Sequence, residues 1–212
     1  LALNNFLQTF TTDHYDTEFH SGLDKVLETL ARLQTLREDI TALRLQPAAA
    51  VQAFNEINKT VFQFLIHSTR ISHYKELFPL KLAYINLLTA KEQAGQERAL
   101  LVTVFSQDTC QPEQFRQFAE LVAAQEAYLN HEVMTYLSET QKDFLKAKLS
   151  TDLVIEKTHN MRSQVYAAAS NSNGKLPQHV DPEYWFEMQT RKMNLLKAVG
   201  DQLIPEKRAA SG

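Results

Sequence analysis

The sequence predicts an all-α protein: an antiparallel helical bundle, or two stacked four-helix bundles sharing long helices. Three observations carry that expectation. Apolar residues recur three and four positions apart in every patterned stretch, which is the spacing of a helix face and not of a strand. Only five glycines and six prolines interrupt the 212 residues. The connections between patterned stretches are short, which favours antiparallel neighbours.

Each element has its own signal. A short helix is expected around Leu3 to Phe10. A long block from about Leu23 to Leu43 carries Leu23, Val26, Leu27, Leu30, Leu33, Ile40 and Leu43 at helical spacing, and Pro47 follows as a stop. The next block, Ala48 to Ile71, carries Val51, Phe54, Ile57, Val61 and Leu65. Pro79 suits the first turn of a helix reaching about Phe105, and the polar stretch Ser106 to Pro112 breaks the pattern. A fourth block starts near Glu113 and runs through Val165, with its stripe losing phase around Ser138 to Lys142. The tract Ser170 to Pro182, rich in Asn, Ser, Gly and Pro, is the clearest loop. A last helix is expected over Glu183 to Leu203.

Composition narrows the function classes. With 44% hydrophobic and 22% charged residues the chain can build a core. A net charge of −3 with evenly mixed signs lacks the clustered Lys and Arg of a nucleic-acid binder, so no nucleic-acid partner is expected. Cys110 is the single cysteine, which rules out an intrachain disulfide and leaves the compartment open. No run approaches the roughly 20 apolar residues of a membrane span, and the first residues lack signal-peptide character. The chain begins at Leu1 and shows no effector module after its last amphipathic stretch. It is therefore expected to be part of a larger protein, with any membrane anchor outside it.

The informative residues are polar ones on apolar arcs. At roughly 100° per residue, Lys91 and Arg98 share an arc with Tyr84, Leu87, Ala94, Leu101, Val102 and Phe105. Gly95 sits beside them; mid-helix glycine costs about 1 kcal/mol against alanine, so a close backbone or ligand approach is a reason for it. The same count puts Arg37 among Val26, Leu30 and Leu33, Lys192 among Met188, Leu196, Val199 and Leu203, and Gln125 among Phe118, Leu121, Val122 and Leu129. An unpartnered buried charge costs several kcal/mol, so these cations must be ion-paired, reach water, or hold an anion. Glu92, Glu97 and Glu132 are near enough to neutralise some of them.

The segment Lys91-Glu92-Gln93-Ala94-Gly95-Gln96-Glu97-Arg98-Ala99 closely resembles the K-E-x-A-G-x-E-R-A signature of nitrate- and nitrite-sensing (NIT) domains. Phe105, Gln125 and Tyr128 follow at family-like distance. Trp185-Phe186 with Thr190 and Lys192 looks like the family's W-F-x-x-x-T-x-[KR] closing segment, and Leu36-Arg37 with Ile40 like its L-R-x-x-V element. Most of the chain is covered. The resemblance implies an all-helical, non-catalytic receptor module, residues 1–212 forming one sensor domain, that recognises nitrate or nitrite and relays a conformational signal. It also implies an anion pocket containing Arg98 and Lys192 or its neighbour Arg191, with Arg37, Lys91 and Gln125 as further candidates, and no cofactor. Nothing before Leu23 matches the family's Q-x-E-R-G motif: either that helix lies upstream or the site lacks its contribution. A homodimeric chemoreceptor on the periplasmic side of a bacterial inner membrane is the expected parent, with cytoplasmic regulators as the alternative.

Two rivals have a residue basis. A helical module with a different ligand or none would show the same periodicity. Glu156 and His159 form an E-x-x-H spacing, which in di-iron bundles supplies ligands from one helix. That site needs a second such motif, and His73 with Glu76 has the reversed order, so no metal is expected. Cys110, in a polar loop with no histidine near it in sequence, is expected to be a surface thiol. Trp185 and Phe186 are expected to be core anchors.

Overall fold

The computed structural model describes residues 15–71 and 75–203. The expected helix at Leu3 to Phe10 and the His73 of the rival metal motif lie outside the described residues. The chain is all-α, as its periodicity predicts. Among the described residues the β feature present is an isolated antiparallel bridge between Thr109 and Lys175. The chain divides into two compact units, Leu1–Phe78 and Pro79–Gly212.

The first unit contains α1 (Thr17–Ala31), α2 (Leu33–Thr41), α3 (Pro47–Arg70) and a 3-10 turn, Lys75–Leu77. Asp16 starts α1 by accepting the Phe19 N–H at 2.7 Å, satisfying one of the amides that a helix start leaves open. Pro47 starts α3 with its φ already helical. Phe19 and Val26 are the apolar side chains that α1 buries, and the Phe19 ring lies 5.1 Å from that of Phe64 on α3. The single block expected from Leu23 to Leu43 is two helices that break at Arg32. Beyond the break, α2 buries none of its residues.

The second unit is built on α4 (Phe78–Gln107), which starts one residue before it, followed by α5 (Pro112–Ala127), a π turn (Tyr128–Glu132) and α6 (Val133–Tyr136). Then come α7 (Glu139–Thr151), α8 (Leu153–Ala169) and α9 (Pro182–Leu203). The long fourth block is thus divided. Leu137 turns extended, and the Ser138 and Gln141 side chains satisfy each other's backbone amides at the start of α7. Asp152 caps α8 through the Val154 N–H at 2.9 Å. The loop before α9 is pinned to the end of α4, with Cys110 N–H donating to Gly174 O and Leu176 N–H to Asp108 O. Gly174 has φ +65°, and any side chain there would collide with the Cys110 carbonyl.

Two apolar clusters fill this unit. Leu101, Val104, Phe105, Phe118, Val122 and Trp185 belong to one. Leu87, Val133, Leu137, Leu145, Leu196 and Val199 belong to the other. On α4, α5 and α9 the residues of the two clusters are separated in sequence by Glu97, Gln125, Gln189 and Lys192, all four buried.

Candidate functional site

Those four residues and Arg162 form a buried ionic layer. The observed stripe of α4 contains Ala90, Ala94, Glu97, Leu101 and Val104, spaced three and four apart, so Glu97 is central to it and fully buried. A bare carboxylate there would be costly, and the surroundings answer it. Arg162 of α8 donates from Nε to Oε1 and from a terminal nitrogen to Oε2, each at 2.6 Å. Gln125 and Gln189 each donate to Oε2 at 2.8 Å. Burial alone would raise the Glu97 pKa, but the Arg162 bonds and charge, with help from Lys192 and Gln125, outweigh it and hold the carboxyl below its ordinary value.

The Gln125 carbonyl in turn accepts from Arg162 at 2.9 Å and from the Lys192 ammonium at 3.1 Å. Burial and the nearby Arg162 charge push Lys192 down to about 8, against the opposing pull of Glu97 and Glu126. The layer holds one carboxylate and two cations, so at neutral pH it carries a surplus of one positive charge. Gln189 also donates to Ala94 O at 3.1 Å, while its own Oε1 has no hydrogen-bond partner among the described residues.

The other flank of the α4 and α9 pair is half-open. Lys91 and Arg98 follow Ala90 and Glu97 by one position, about 100° round the helix, which puts them at the margin of the buried stripe and not in it. Both are half-buried. Arg98 donates to Thr190 Oγ1 at 2.7 Å and its guanidinium lies 4.3 Å over the Phe186 ring. Burial lowers its pKa. The Trp185 indole N–H donates to the Arg98 carbonyl at 3.1 Å, which locks the two helices at the same level. Among the described residues neither Arg98 nor Lys91 has a carboxylate partner.

The structure therefore separates the candidates. Lys192 and Gln125 meet in the buried layer, and Arg98 and Lys91 share the opposite margin of α4. Arg191 is exposed and ion-paired with Glu187. Arg37 is exposed on α2 of the first unit, a helix that buries none of its residues, which overturns the expectation that it points inward. Arg162 and Gln189 were not among the candidates. Gln189 had a signal, standing four residues after Trp185 and three before Lys192 on the buried face of α9. Arg162 is one position off the α8 stripe of Thr158, Met161 and Val165, where periodicity reads as surface.

Two further expectations change. Cys110 is buried and not a surface thiol, because its loop is drawn into the cluster of Phe105, Phe118 and Trp185 by the pairing with Gly174. Trp185 is a core anchor, fully buried, whereas Phe186 is 48% exposed and carries the Arg98 guanidinium. Among the described residues no His, Cys, Asp and Glu group is arranged to hold a metal ion.

Residues 1–206 match the family model described as nitrate and nitrite sensing. No curated protein and no solved structure matches the chain.

Proposed function

The chain belongs to the nitrate and nitrite sensing (NIT) family, and from that premise we propose that nitrate or nitrite binds on the half-open flank of α4 and α9, gripped by Arg98. The family is one of sensing domains in signalling proteins and not of catalysts. The observation that carries the assignment to Arg98 is a half-buried guanidinium with no carboxylate among its described partners. It has five N–H donors and spends one contact on the Thr190 hydroxyl, which leaves donors for a planar anion that matches its fork. Lys91 stands two turns earlier on the same margin, about 10 Å along the axis. Gly95 lies between them, with the Cε of Met193 on α9 close by. Arg191 and Arg37 have no part in this assignment.

The relay follows from what Arg98 touches. Its guanidinium rests on Phe186 and Thr190, both on α9. An anion that draws it away weakens one packing of α9 relative to another, which is the differential affinity a signal requires. Lys192 and Gln125 then act inside, holding α9 to α4 and α5 through the ionic layer. The parent is read as a homodimeric, membrane-anchored receptor with this domain on the periplasmic side, in keeping with the extracytoplasmic placement typical of the family. Among the described residues no helix is long and apolar enough to cross a membrane.

Isothermal titration of the purified chain with nitrate, nitrite and chloride tests the ligand. Saturable heat with nitrate or nitrite at one site per chain, and none with chloride, is the expected outcome. Absence of heat with both oxyanions would leave a helical module working through partners alone.

A further inference from the structure

A buried ionic layer on a continuous helix would fix the register of α5, yet three residues after Gln125 the helix widens into the π turn Tyr128–Glu132. The Val133 N–H donates to Tyr128 O, five residues back. The reason lies in the phase of the two clusters. Phe118 and Gln125 are seven residues apart on one face, and an uninterrupted helix would next present Glu132 and Tyr136 there. The residues actually buried are Val133 and Leu137, each one position later. One surplus residue between Gln125 and Val133 supplies the lag, and the π turn is where it is stored.

Such a surplus can sit elsewhere without moving either end. If the wide turn lies between Val122 and Gln125, the residues after it fall into phase with Val133, and each takes the place of its predecessor. Glu126, seven residues before Val133, then occupies the position of Gln125. In the described register Glu126 is exposed and has no hydrogen bond or ion pair among the described residues, but its charge already bears on Lys192.

We infer that α5 is a two-register element, in which migration of the π turn past Gln125 exchanges the Gln125 amide for the Glu126 carboxylate in the buried layer. The exchange brings the layer from a surplus of one positive charge to neutrality and gives Lys192 and Arg162 a second anion. It costs the bond that Gln125 donates to Glu97 and sets a second carboxylate beside Glu97, which the two cations must offset. The device is independent of where the anion sits: it depends on the lag between Gln125 and Val133 and on the charge of the residue following Gln125.

Residue-resolved amide exchange on the intact chain tests it, comparing wild type with Glu126→Gln and with deletion of the exposed Asn130. The deletion removes the surplus residue and lets α5 and α6 join as one α-helix with both clusters in place. Glu126→Gln removes the carboxylate that rewards the shifted register, and as an exposed position it takes no hydrogen bond or ion pair from the described register. Exchange of the amides from Gln125 to Leu129 should slow at least tenfold in Glu126→Gln, and also in the deletion, with the amides of α8 unaffected. Exchange within twofold of wild type in Glu126→Gln overturns the inference whatever the deletion does. Slowing that extends equally to α8 overturns it too, because that is global stabilisation.

Discussion

Arg162 holds Glu97 through two parallel hydrogen bonds of 2.6 Å, joining α8 to α4 at a point where Glu97 is wholly buried and Arg162 nearly so. A bidentate pair of this kind is specific in geometry as well as strong. Breaking one side of it strands the other.

Arg162→Ala leaves the Glu97 carboxylate with only the two glutamine amides. Loss of one partner from a buried pair costs about 3–5 kcal/mol, so the variant should melt well below wild type at pH 7. A loss under about 1 kcal/mol would mean that the pair is screened by water as a surface pair is.

Lys192 gives a pH signature. Burial and the nearby Arg162 charge lower its pKa from the ordinary 10.5 to about 8 in the folded chain, so between those values the unfolded chain binds more protons than the folded one. Stability contributed at this residue therefore rises with pH over that window; below it both states are protonated and the burial penalty is complete. Wild type should gain on Lys192→Met by up to about 3 kcal/mol between pH 7.5 and 10.5, read from denaturant unfolding of both. A pH-independent difference would show that the ammonium is not desolvated.

Two glycines at the α4 and α9 contact should behave oppositely. A Cβ on Gly95 would lie 3.3 Å from the Cε of Met193, the movable end of a flexible side chain. Gly95→Ala should therefore keep most of the roughly 1 kcal/mol helix gain. A Cβ on Gly200 would lie 3.0 Å from Leu87 and 3.1 Å from Tyr84, so Gly200→Ala should lose about 1–3 kcal/mol by overpacking. Thermal melts of the two variants decide it, and the reverse order would mean that the helices are not this close.

How much was legible follows from which physical signal each feature leaves. Helix periodicity placed α3, α4 and α9 within a residue or two, and the loop before α9 announced itself by composition. The break at Arg32 has no proline or glycine to mark it, and an apolar stripe alone does not tell that α2 leaves all of its residues, Arg37 included, outside the core. Lys192 and Gln125 were found because each is a polar residue in the middle of an apolar arc. Lys91 and Arg98 lie nearer the margin than an arc drawn through Tyr84 and Leu87 implies, because the buried face also runs through Ala90, Glu97 and Val104. Arg162 left no signal of its own: its burial is created by Glu97, 65 positions away. The π turn was equally hidden, although the seven-residue spacings Phe118 to Gln125 and Glu126 to Val133 encode it.

The most direct test of the anion site is the response of thermal stability to nitrate in wild type, Arg98→Ala and Arg98→Lys, with chloride as the control ion. At a hundredfold excess over the dissociation constant, wild type should gain about 2.7 kcal/mol. Arg98→Ala should fold, since it gives up one hydrogen bond and a ring contact at a half-open flank, and should show no nitrate response. Arg98→Lys should keep a weakened one, because the charge survives without the fork. A nitrate response in Arg98→Ala equal to that of wild type would contradict the assignment of the site to Arg98.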